Sequence, residues 1–506
     1  CLELLCEISE SNPGEMSPTI EILYTTLMNL ICEISGPDFL NEDYEDPTPR
    51  TAAENSLFRF SSSFYKFSLE QNSDCFPKLL LSIFDQFNQC TGSFEKYRAG
   101  YVLLRETFDI LVPSFENGEL VENLVRKIIE GLQCHNAFCE IAILQVLTQA
   151  ALQLSNLDFE KDYNSILIPA IIGYVTSNID NSRYALESLS CLISNSKDED
   201  IDGIFDQLFT FITHIFEGIP LQAKLYALKC ITSLIQKSKN RITSFYPIVL
   251  TILVEVIKSN ELSLQIESIM AFSMIGFVLP QCDDASTELM DKFAKDSQGF
   301  IQLIMSINRS TLTGEQDDTL NQALQLLVWT LGAHYPDAFS TLLASQLEIA
   351  AQDINMKTVP LSSDRSDFEG DIILPNKTEN MLYIYNKAQI DVVEHTLAII
   401  SSFLLKIGSH SLPLLPQLIE VFSKTISYFF YSVLQDETLQ CLYGLVTTMY
   451  ENKCESYNDL ALVINSFNSV CDNPYEGEDT VSSFIDFAIT LAHCSPNLEL
   501  GLAQTF

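Results

Sequence analysis

Ile168-Pro169-Ala170-Ile171-Ile172 is one of three stretches in which a proline precedes a stripe of large apolar residues. The others are Phe76-Pro77-Lys78-Leu79-Leu80 and Tyr246-Pro247-Ile248-Val249-Leu250. Their prolines lie 92 (169 − 77) and 78 (247 − 169) residues apart, and Pro416 follows after another 169 (416 − 247). These distances correspond to two, two and four copies of a unit of about 39–46 residues. We expect a helix to begin near each proline, which a first helical turn tolerates.

A second helix is predicted between successive prolines. In the stretch 219–237, apolar residues recur at the spacing of one helix face, and the stretch 180–196 repeats this pattern. Glycine (18) and proline (18) are scarce in this 506-residue chain, in which 47% of residues are hydrophobic, so connections should be short. Period and pattern together predict an all-α fold: a right-handed α-solenoid superhelix of about ten HEAT-type helical hairpins, without a sheet.

In each hairpin the first helix is called A and the second B. A B helix is expected at 1–10. The predicted A/B pairs and two final helices follow at 15–34/49–68, 74–89/95–112, 118–132/135–154, 160–177/180–196, 199–216/219–237, 241–258/260–279, 283–307/315–333, 335–351/386–406, 411–431/434–451, 456–470 and 479–493. Residues 1–506 thus read as a single solenoid, and the absence of an initial Met leads us to expect a fragment of a longer chain.

Two segments interrupt this rhythm. Residues 35–48 form an acidic loop inside one repeat, and residues 352–387 form a polar insertion that we expect to be mobile. The acidic loop carries Asp38, Glu42, Asp43, Glu45 and Asp46.

The net charge is −39, from 67 acidic and 28 basic residues. Such a surface repels nucleic acid and anionic membranes and favours basic partners. High negative charge that only keeps an apolar chain in solution is the alternative. No apolar run is expected to reach the roughly 18–20 residues that span a bilayer.

The 14 cysteines contain no C-x-x-C pair, and most lie in apolar helical runs, which favours free thiols in a reducing compartment. Cys134, His135 and Cys139 lack a second pair at zinc-ligand spacing. The sequence has no phosphate-binding loop, no dinucleotide fingerprint, no nucleophile elbow and no H-E-x-x-H motif. We therefore expect no metal, no cofactor and no enzymatic activity.

The order of these features resembles the importin-β (karyopherin-β) superfamily, and within it the importin-5-like branch. The resemblance rests on a Leu/Glu-rich helix before the acidic loop (1–10), the loop itself, and an Ala/Glu/Leu helix start after it (52–57). It also rests on a K-Y-R helix opening at 95–100 and on the insertion before 386–391. The tryptophan typical of the acidic loop is absent, and Phe39 and Tyr44 lie nearby.

The resemblance implies a nuclear import receptor that binds basic nuclear-localisation segments on an acidic concave face of B helices. Release by Ran-GTP, a main Ran site upstream of Cys1, nucleoporin contacts and shuttling between cytoplasm and nucleus are implied likewise. Candidate cargo contacts are acids that lie on B helices, outside the apolar face of each helix: Glu54, Glu106, Glu140, Glu187, Glu267, Asp391 and Glu394. Ordinary solvated helix charges are the alternative for each of them.

Two other functions remain open at this point. One is a HEAT-repeat scaffold in a phosphatase or chromosome complex, against which the interrupted repeats argue. The other is an exportin, which the sequence does not separate from an importin.

Overall fold

The computed structural model describes residues 2–32, 49–71, 75–90, 92–116, 118–153, 164–283, 285–363, 368, 371–376, 380–428 and 432–454, with 460, 462, 463, 466 and 487. They divide into two compact units, unit 1 (Cys1–Ser238) and unit 2 (Lys239–Phe506). Both are built from helical hairpins, as predicted, and we describe each unit by itself.

The described residues of unit 1 form helices. They are α1 (Leu2–Ser11), α2 (Pro13–Met16), α3 (Ile20–Ile31), α4 (Pro49–Glu70), α5 (Cys75–Asn88), α6 (Phe94–Glu106), α7 (Phe108–Leu111), α8 (Gly118–Gly131), α9 (Ala137–Gln153), α10 (Asn164–Ser177), α11 (Ser182–Asn195), α12 (Asp198–Asp202), α13 (Phe205–Ile215) and α14 (Leu221–Gln236).

Unit 2 adds a small sheet to the hairpins. Its elements are α15 (Ile242–Val256), α16 (Leu262–Val278), α17 (Thr287–Ser306), α18 (Gly314–Leu331), α19 (Pro336–Ala350), β1 (Met356–Pro360), β2 (Ile372–Asn376), β3 (Met381–Tyr385), α20 (Lys387–Ile407), α21 (Leu415–Thr425) and α22 (Ser432–Glu451). The predicted helices at 456–470 and 479–493 lie largely outside the described residues.

The B helices of successive repeats pack side by side and form one layer in each unit. In unit 1 the layer runs through α4, α6, α9, α11 and α14; in unit 2 it runs through α16, α18, α20 and α22. The apolar helix face predicted in 219–237 is buried: its side chains are fully enclosed at Ala223, Ala227, Cys230, Ile231 and Leu234. The all-α HEAT solenoid is thereby confirmed for the described hairpins; the superhelix of the whole chain stays a prediction.

Small polar side chains tie neighbouring B helices together at a constant offset. Ser188 Oγ donates to the carbonyl of Leu144 (2.9 Å), and Cys230 Sγ contacts the carbonyl of Leu186 (3.4 Å). In unit 2, the Cys441 thiol and the Thr448 hydroxyl contact the carbonyls of Leu397 and Leu404, each at 3.1 Å. All four bonds join residues 44 apart, one repeat length. The buried cysteines here pack as small apolar residues with a weak donor.

The prolines do not all lie where we expected. Pro77 and Pro416 are in the first turn of α5 and α21, but Pro169 and Pro247 lie inside α10 and α15. These two helices begin one turn earlier than the proline, at Asn164 and Ile242. An interior proline removes one backbone hydrogen bond. Packing of the A helices therefore outweighs this cost.

The expectation of no sheet is wrong for the insertion. β3 pairs antiparallel with both β1 and β2, in the order β1-β3-β2, with Lys357 opposite Ile384 and Ile373 opposite Ile384 on the other side. In β3, Leu382 and Ile384 are buried. Alternating large apolar residues suit a half-buried strand, and the polar composition of the whole insertion concealed this short run. Whether the insertion is mobile stays a prediction.

One described segment, Leu262–Gln281, is long and apolar enough to cross a membrane by length and composition alone. This contradicts the expectation that no such run exists. In the structure 72% of its apolar window is buried, because it forms α16 and the turn after it, in the B layer of unit 2.

Candidate functional site

The candidate surfaces are the two B-helix layers, one in each unit; four of the seven acids predicted to contact cargo lie in unit 1 and three in unit 2. Glu54 of α4 faces two arginines of α6: it accepts from Arg98 Nη2 at 3.0 Å and lies 3.7 Å from Arg105 Nη2. Its side chain is only 13% exposed. Most of its charge is thus compensated inside the protein.

Glu106 belongs to the same network. Arg105 Nη2 lies 2.5 Å from Glu106 Oε1, and Arg105 Nη1 donates to Gln145 Oε1 on α9 at 2.6 Å. Through Arg105 the structure brings Glu54 and Glu106 together and links α4, α6 and α9. The sequence analysis gave Arg105 no role, and it used Arg98 only as part of the K-Y-R helix opening.

Glu140 and Glu267 do not lie on an open surface. Glu140 of α9 is buried and accepts a hydrogen bond of 3.0 Å from the Tyr174 hydroxyl of α10. Burial raises the pKa of Tyr174, and the Glu140 charge raises it further. Glu267 of α16 is buried as well. Glu187 of α11 is half-buried and faces Tyr226 of α14, whose pKa is raised first by burial and then by this charge.

Asp391 and Glu394 lie on α20 in unit 2. Asp391 is half-exposed and forms an ion pair with Lys387, one turn earlier on the same helix. Glu394 is half-buried and faces Glu437 of α22. Burial raises the pKa of Glu437, and the charges of Glu394 and Asp436 raise it further. Two carboxylates on neighbouring B helices therefore repel each other here.

A third acid from the preceding B helix joins this group. Asp318 of α18 is exposed and its Oδ1 lies 3.2 Å from His395 Nδ1, next to Glu394 on α20. We call Asp318, Glu394 and Glu437 the acidic group. Sequence reasoning identified only Glu394. All three lie in the first half of their helix. Comparing the positions of acids along successive B helices would have identified them from the sequence.

An exposed apolar stripe follows on the same helices. Trp329 of α18, Leu405 of α20 and Tyr443 of α22 are about half exposed (50%, 47% and 53%). Lys406 Nζ lies 3.8 Å from the centre of the Trp329 ring, and Trp329 Nε1 donates to Ser402 Oγ at 3.3 Å. We call Trp329, Leu405 and Tyr443 the apolar stripe. Trp329 is the single tryptophan in the sequence, and the sequence analysis assigned it no role.

The remaining sequence predictions find no geometry here. Asp38, Glu42, Asp43, Glu45 and Asp46 lie outside the described residues. Among the described residues, no group of three or more His, Cys, Asp or Glu side chains is arranged to hold a metal ion. All seven predicted acids stay predictions as cargo contacts.

No protein-family model and no curated protein matches the sequence. Solved structures do match. A crystal structure of Kap121p aligns with 14% identity and a TM-score of 0.69, over 98% of this chain and 50% of Kap121p. Kap121p bound to Pho4p (15%, 0.68) and Kap121p bound to Nup53p (15%, 0.69) each align over 99% of this chain and 50% of theirs. This chain thus spans about half the length of the structures it matches. It has the HEAT-repeat solenoid fold of Kap121p, a karyopherin-β.

Proposed function

We propose that this chain is part of a nuclear transport receptor that binds basic protein segments on its B-helix layer. The single observation that carries the proposal is the acidic group, three carboxylates contributed by three consecutive B helices of unit 2. The fold likeness to Kap121p, solved with the protein ligands Pho4p and Nup53p, supports it. A binding protein rather than an enzyme is proposed.

The energetics favour a cationic ligand at this group. Glu394 and Glu437 repel each other across the helix boundary, and burial disfavours the charge of Glu437. A lysine or arginine from a partner would relieve this repulsion. Each exposed pair contributes only about 0.2–1 kcal/mol, so several must act together.

The apolar stripe adds contacts that salt does not screen. Trp329 follows Asp318 by 11 residues (329 − 318), and Leu405 follows Glu394 by 11 (405 − 394). Eleven helical residues span about 16 Å, which an extended peptide covers in about five residues. The fitting ligand has basic residues and, about five positions away, a large apolar residue.

Direction and regulation of transport belong to the same proposal. By resemblance to importins, cargo is carried inward and released by Ran-GTP, and the protein shuttles between cytoplasm and nucleus. Nucleoporins and the GTPase Ran are proposed partners. The net charge of −39 argues against nucleic acid and anionic membranes as partners.

The test compares two triple variants of unit 2. Asp318→Asn/Glu394→Gln/Glu437→Gln neutralises the acidic group; Glu288→Gln/Asp291→Asn/Glu420→Gln neutralises three exposed acids of the A helices α17 and α21. The ligand is a labelled peptide with a group of Lys residues and one Leu five positions away from them. Its binding is followed by fluorescence anisotropy. We expect about a tenfold loss of affinity in the first variant, since three pairs of about 0.5 kcal/mol are removed. The second should keep the affinity.

Equal losses in both variants would show that overall negative charge, not the acidic group, attracts the peptide. A scaffold is distinguished from a transport receptor by partner capture with the full-length protein, with and without GTP-loaded Ran. A receptor of the import type loses its partners when Ran-GTP is added, an exportin gains them, and a scaffold keeps them unchanged.

A further inference from the structure

The helices that carry the acidic group of unit 2 carry a lysine near their opposite end. Beyond Asp318, Glu394 and Glu437, the helices α18, α20 and α22 contain one Lys or Arg, which is Lys406, and one acid, which is Glu451 at the end of α22. Lys406 follows Glu394 by 12 residues (406 − 394), about 18 Å along α20. The charges of this B layer therefore separate along the direction of its helices.

Lys406 is held in place by the neighbouring helix α18. Its Nζ lies 3.8 Å from the centre of the Trp329 ring, and Trp329 Nε1 donates to Ser402 Oγ at 3.3 Å. The lysine stem passes close to the end of α18, because a Cβ added at Gly332 would lie 3.0 Å from Lys406 Cβ. A side chain that is already ordered loses less conformational entropy when it pairs with a ligand. The ammonium group is thus placed beside the apolar stripe before any ligand arrives.

The ammonium group of Lys406 can take an anionic partner. In the part of the chain that the structure describes, it forms no ion pair and no hydrogen bond. A lysine carries three N–H donors, and the Trp329 ring faces it from one side only. The acidic group lies about 18 Å away, whereas surface charges are screened over about 8 Å at physiological ionic strength. A carboxylate at Lys406 is therefore attracted by the lysine more strongly than the acidic group repels it.

We propose that Lys406, seated on Trp329, binds an acidic side chain of the ligand. The proposal rests on the function proposed above and narrows the ligand to a segment with basic residues at the acidic group, a large apolar residue at the apolar stripe, and an Asp or Glu beside that apolar residue. Leu405 and Lys406 are consecutive on α20, so the ligand's acid lies close to its apolar residue. In an extended chain, residues two apart point to the same side and lie about 7 Å apart. We expect the acid two positions beyond the apolar residue.

The test uses the full 506-residue chain and three labelled, amidated peptides. All three contain the group of Lys residues and the Leu five positions away from them. The first has Glu two positions beyond the Leu, the second has Gln there, and the third has the Glu moved to the other side of the Lys group. The first and third peptides have the same net charge, so they separate a local contact from overall charge.

Fluorescence anisotropy at physiological salt gives the three affinities. We expect the first peptide to bind about threefold more tightly than either of the others, the size of one exposed ion pair. Trp329 is the only tryptophan, so its emission reports whether the peptide reaches this position, and it should change when the first peptide binds.

Two variants locate the contact. Lys406→Gln should remove the preference, so that the peptides with Glu and with Gln bind alike. Lys295→Gln, at an exposed position of the A helix α17, is the matched control and should keep the threefold difference. Lys406 also lies in the last turn of α20, where a cation stabilises the helix end. That role alone would give the wild type no preference for Glu. Should Lys406→Gln fail to fold, the three peptides on the wild type still decide.

Three results would overturn the proposal: equal affinity of the wild type for the first and second peptides, a preference that survives Lys406→Gln, or Trp329 emission that does not change on binding. Binding of the peptides without a preference for Glu overturns this inference alone. If the wild type binds none of the peptides, the function proposed above fails together with it.

Discussion

At the scale of single residues, partners decide what an acidic side chain can do. Glu54, Glu106 and Glu140 were predicted as acids on B helices outside the buried apolar face; all three lie on B helices, but Glu140 is buried. Arg98 and Arg105 on the next B helix compensate Glu54, Arg105 on the same helix compensates Glu106, and Glu140 is buried against Tyr174. Reversing Glu106 and Glu140 to lysine would therefore damage folding.

Tyr174→Phe should destabilise unit 1. It removes the hydroxyl that donates to buried Glu140 at 3.0 Å, and a buried carboxylate that loses a donor costs about 1–3 kcal/mol. The midpoint of urea unfolding, followed by circular dichroism, measures the effect. Tyr450→Phe on exposed Tyr450 is the control and should stay within about 0.5 kcal/mol of the wild type. An unchanged midpoint for Tyr174→Phe would mean that Glu140 does not depend on this bond.

Glu54→Gln should destabilise the protein more than Glu3→Gln. Glu54 pairs with Arg98, whose side chain is 10% exposed, so the change removes an ion pair from a largely enclosed guanidinium. Hydrogen bonds to charged groups contribute about 1.5–3 kcal/mol. Glu3 pairs with Arg59 on the surface, where such pairs contribute about 0–1 kcal/mol. Urea midpoints of the two variants make the comparison, and equal shifts would contradict it.

At the scale of elements, close approach between helices is the decisive feature. In α16, a Cβ added at Gly276 would lie 2.7 Å from the Phe293 ring of α17. That ring is stacked on Phe272 at a centroid distance of 4.6 Å, so it has little room to move. Glycine is thus required by packing at this position, although it weakens the helix by itself.

Gly276→Ala and Gly299→Ala should have opposite effects. The first overpacks the α16–α17 contact and should cost about 1–3 kcal/mol. The second adds a methyl group at an exposed position of α17, where no other atom would lie within 4 Å of it. It should stabilise the protein by up to about 1 kcal/mol. Thermal unfolding by circular dichroism distinguishes them. If both substitutions stabilised the protein, the Phe293 ring would be able to move away from the added methyl group without a cost in free energy.

The bonds between B helices offer a second element-scale prediction. Ser188→Ala removes a buried donor to the Leu144 carbonyl at 2.9 Å and should cost about 1 kcal/mol. Ser177→Ala, at an exposed residue whose hydroxyl bonds only within α10, should have a smaller effect. Urea midpoints again provide the measurement, and a smaller loss for Ser188→Ala than for Ser177→Ala would be the contrary result.

At the scale of the whole molecule, the charge of −39 makes ligand binding depend on salt. Affinity for the Lys-rich peptide should fall as salt rises, because the screening length shortens from about 10 Å at 0.1 M to about 3 Å at 1 M. The apolar stripe should leave a residual affinity. Anisotropy titrations at several salt concentrations measure this. Replacing the peptide's Leu by Ala should remove the salt-resistant part, and a salt-independent affinity would contradict an electrostatic site.

Repeat length, helix order and the two-helix unit follow from the sequence alone. Prolines 77, 169, 247 and 416 mark the period, and apolar stripes mark the helix faces, because a helix must bury its stripe against a neighbour. Predicted and observed bounds agree within a few residues for most helices, as in 260–279 and Leu262–Val278. Local patterns carry this information, so an isolated sequence is sufficient for it.

The tertiary structure alone decided which acids are open to a ligand. Glu54 and Arg98 are 44 residues apart, and Asp318 and His395 are separated by the whole insertion. The strands β1 to β3 likewise depend on pairing between runs that are polar on average. Charge compensation, burial and strand pairing arise from contacts between distant residues. No local pattern encodes them, because each helix shows the same amphipathic face whichever neighbour packs against it.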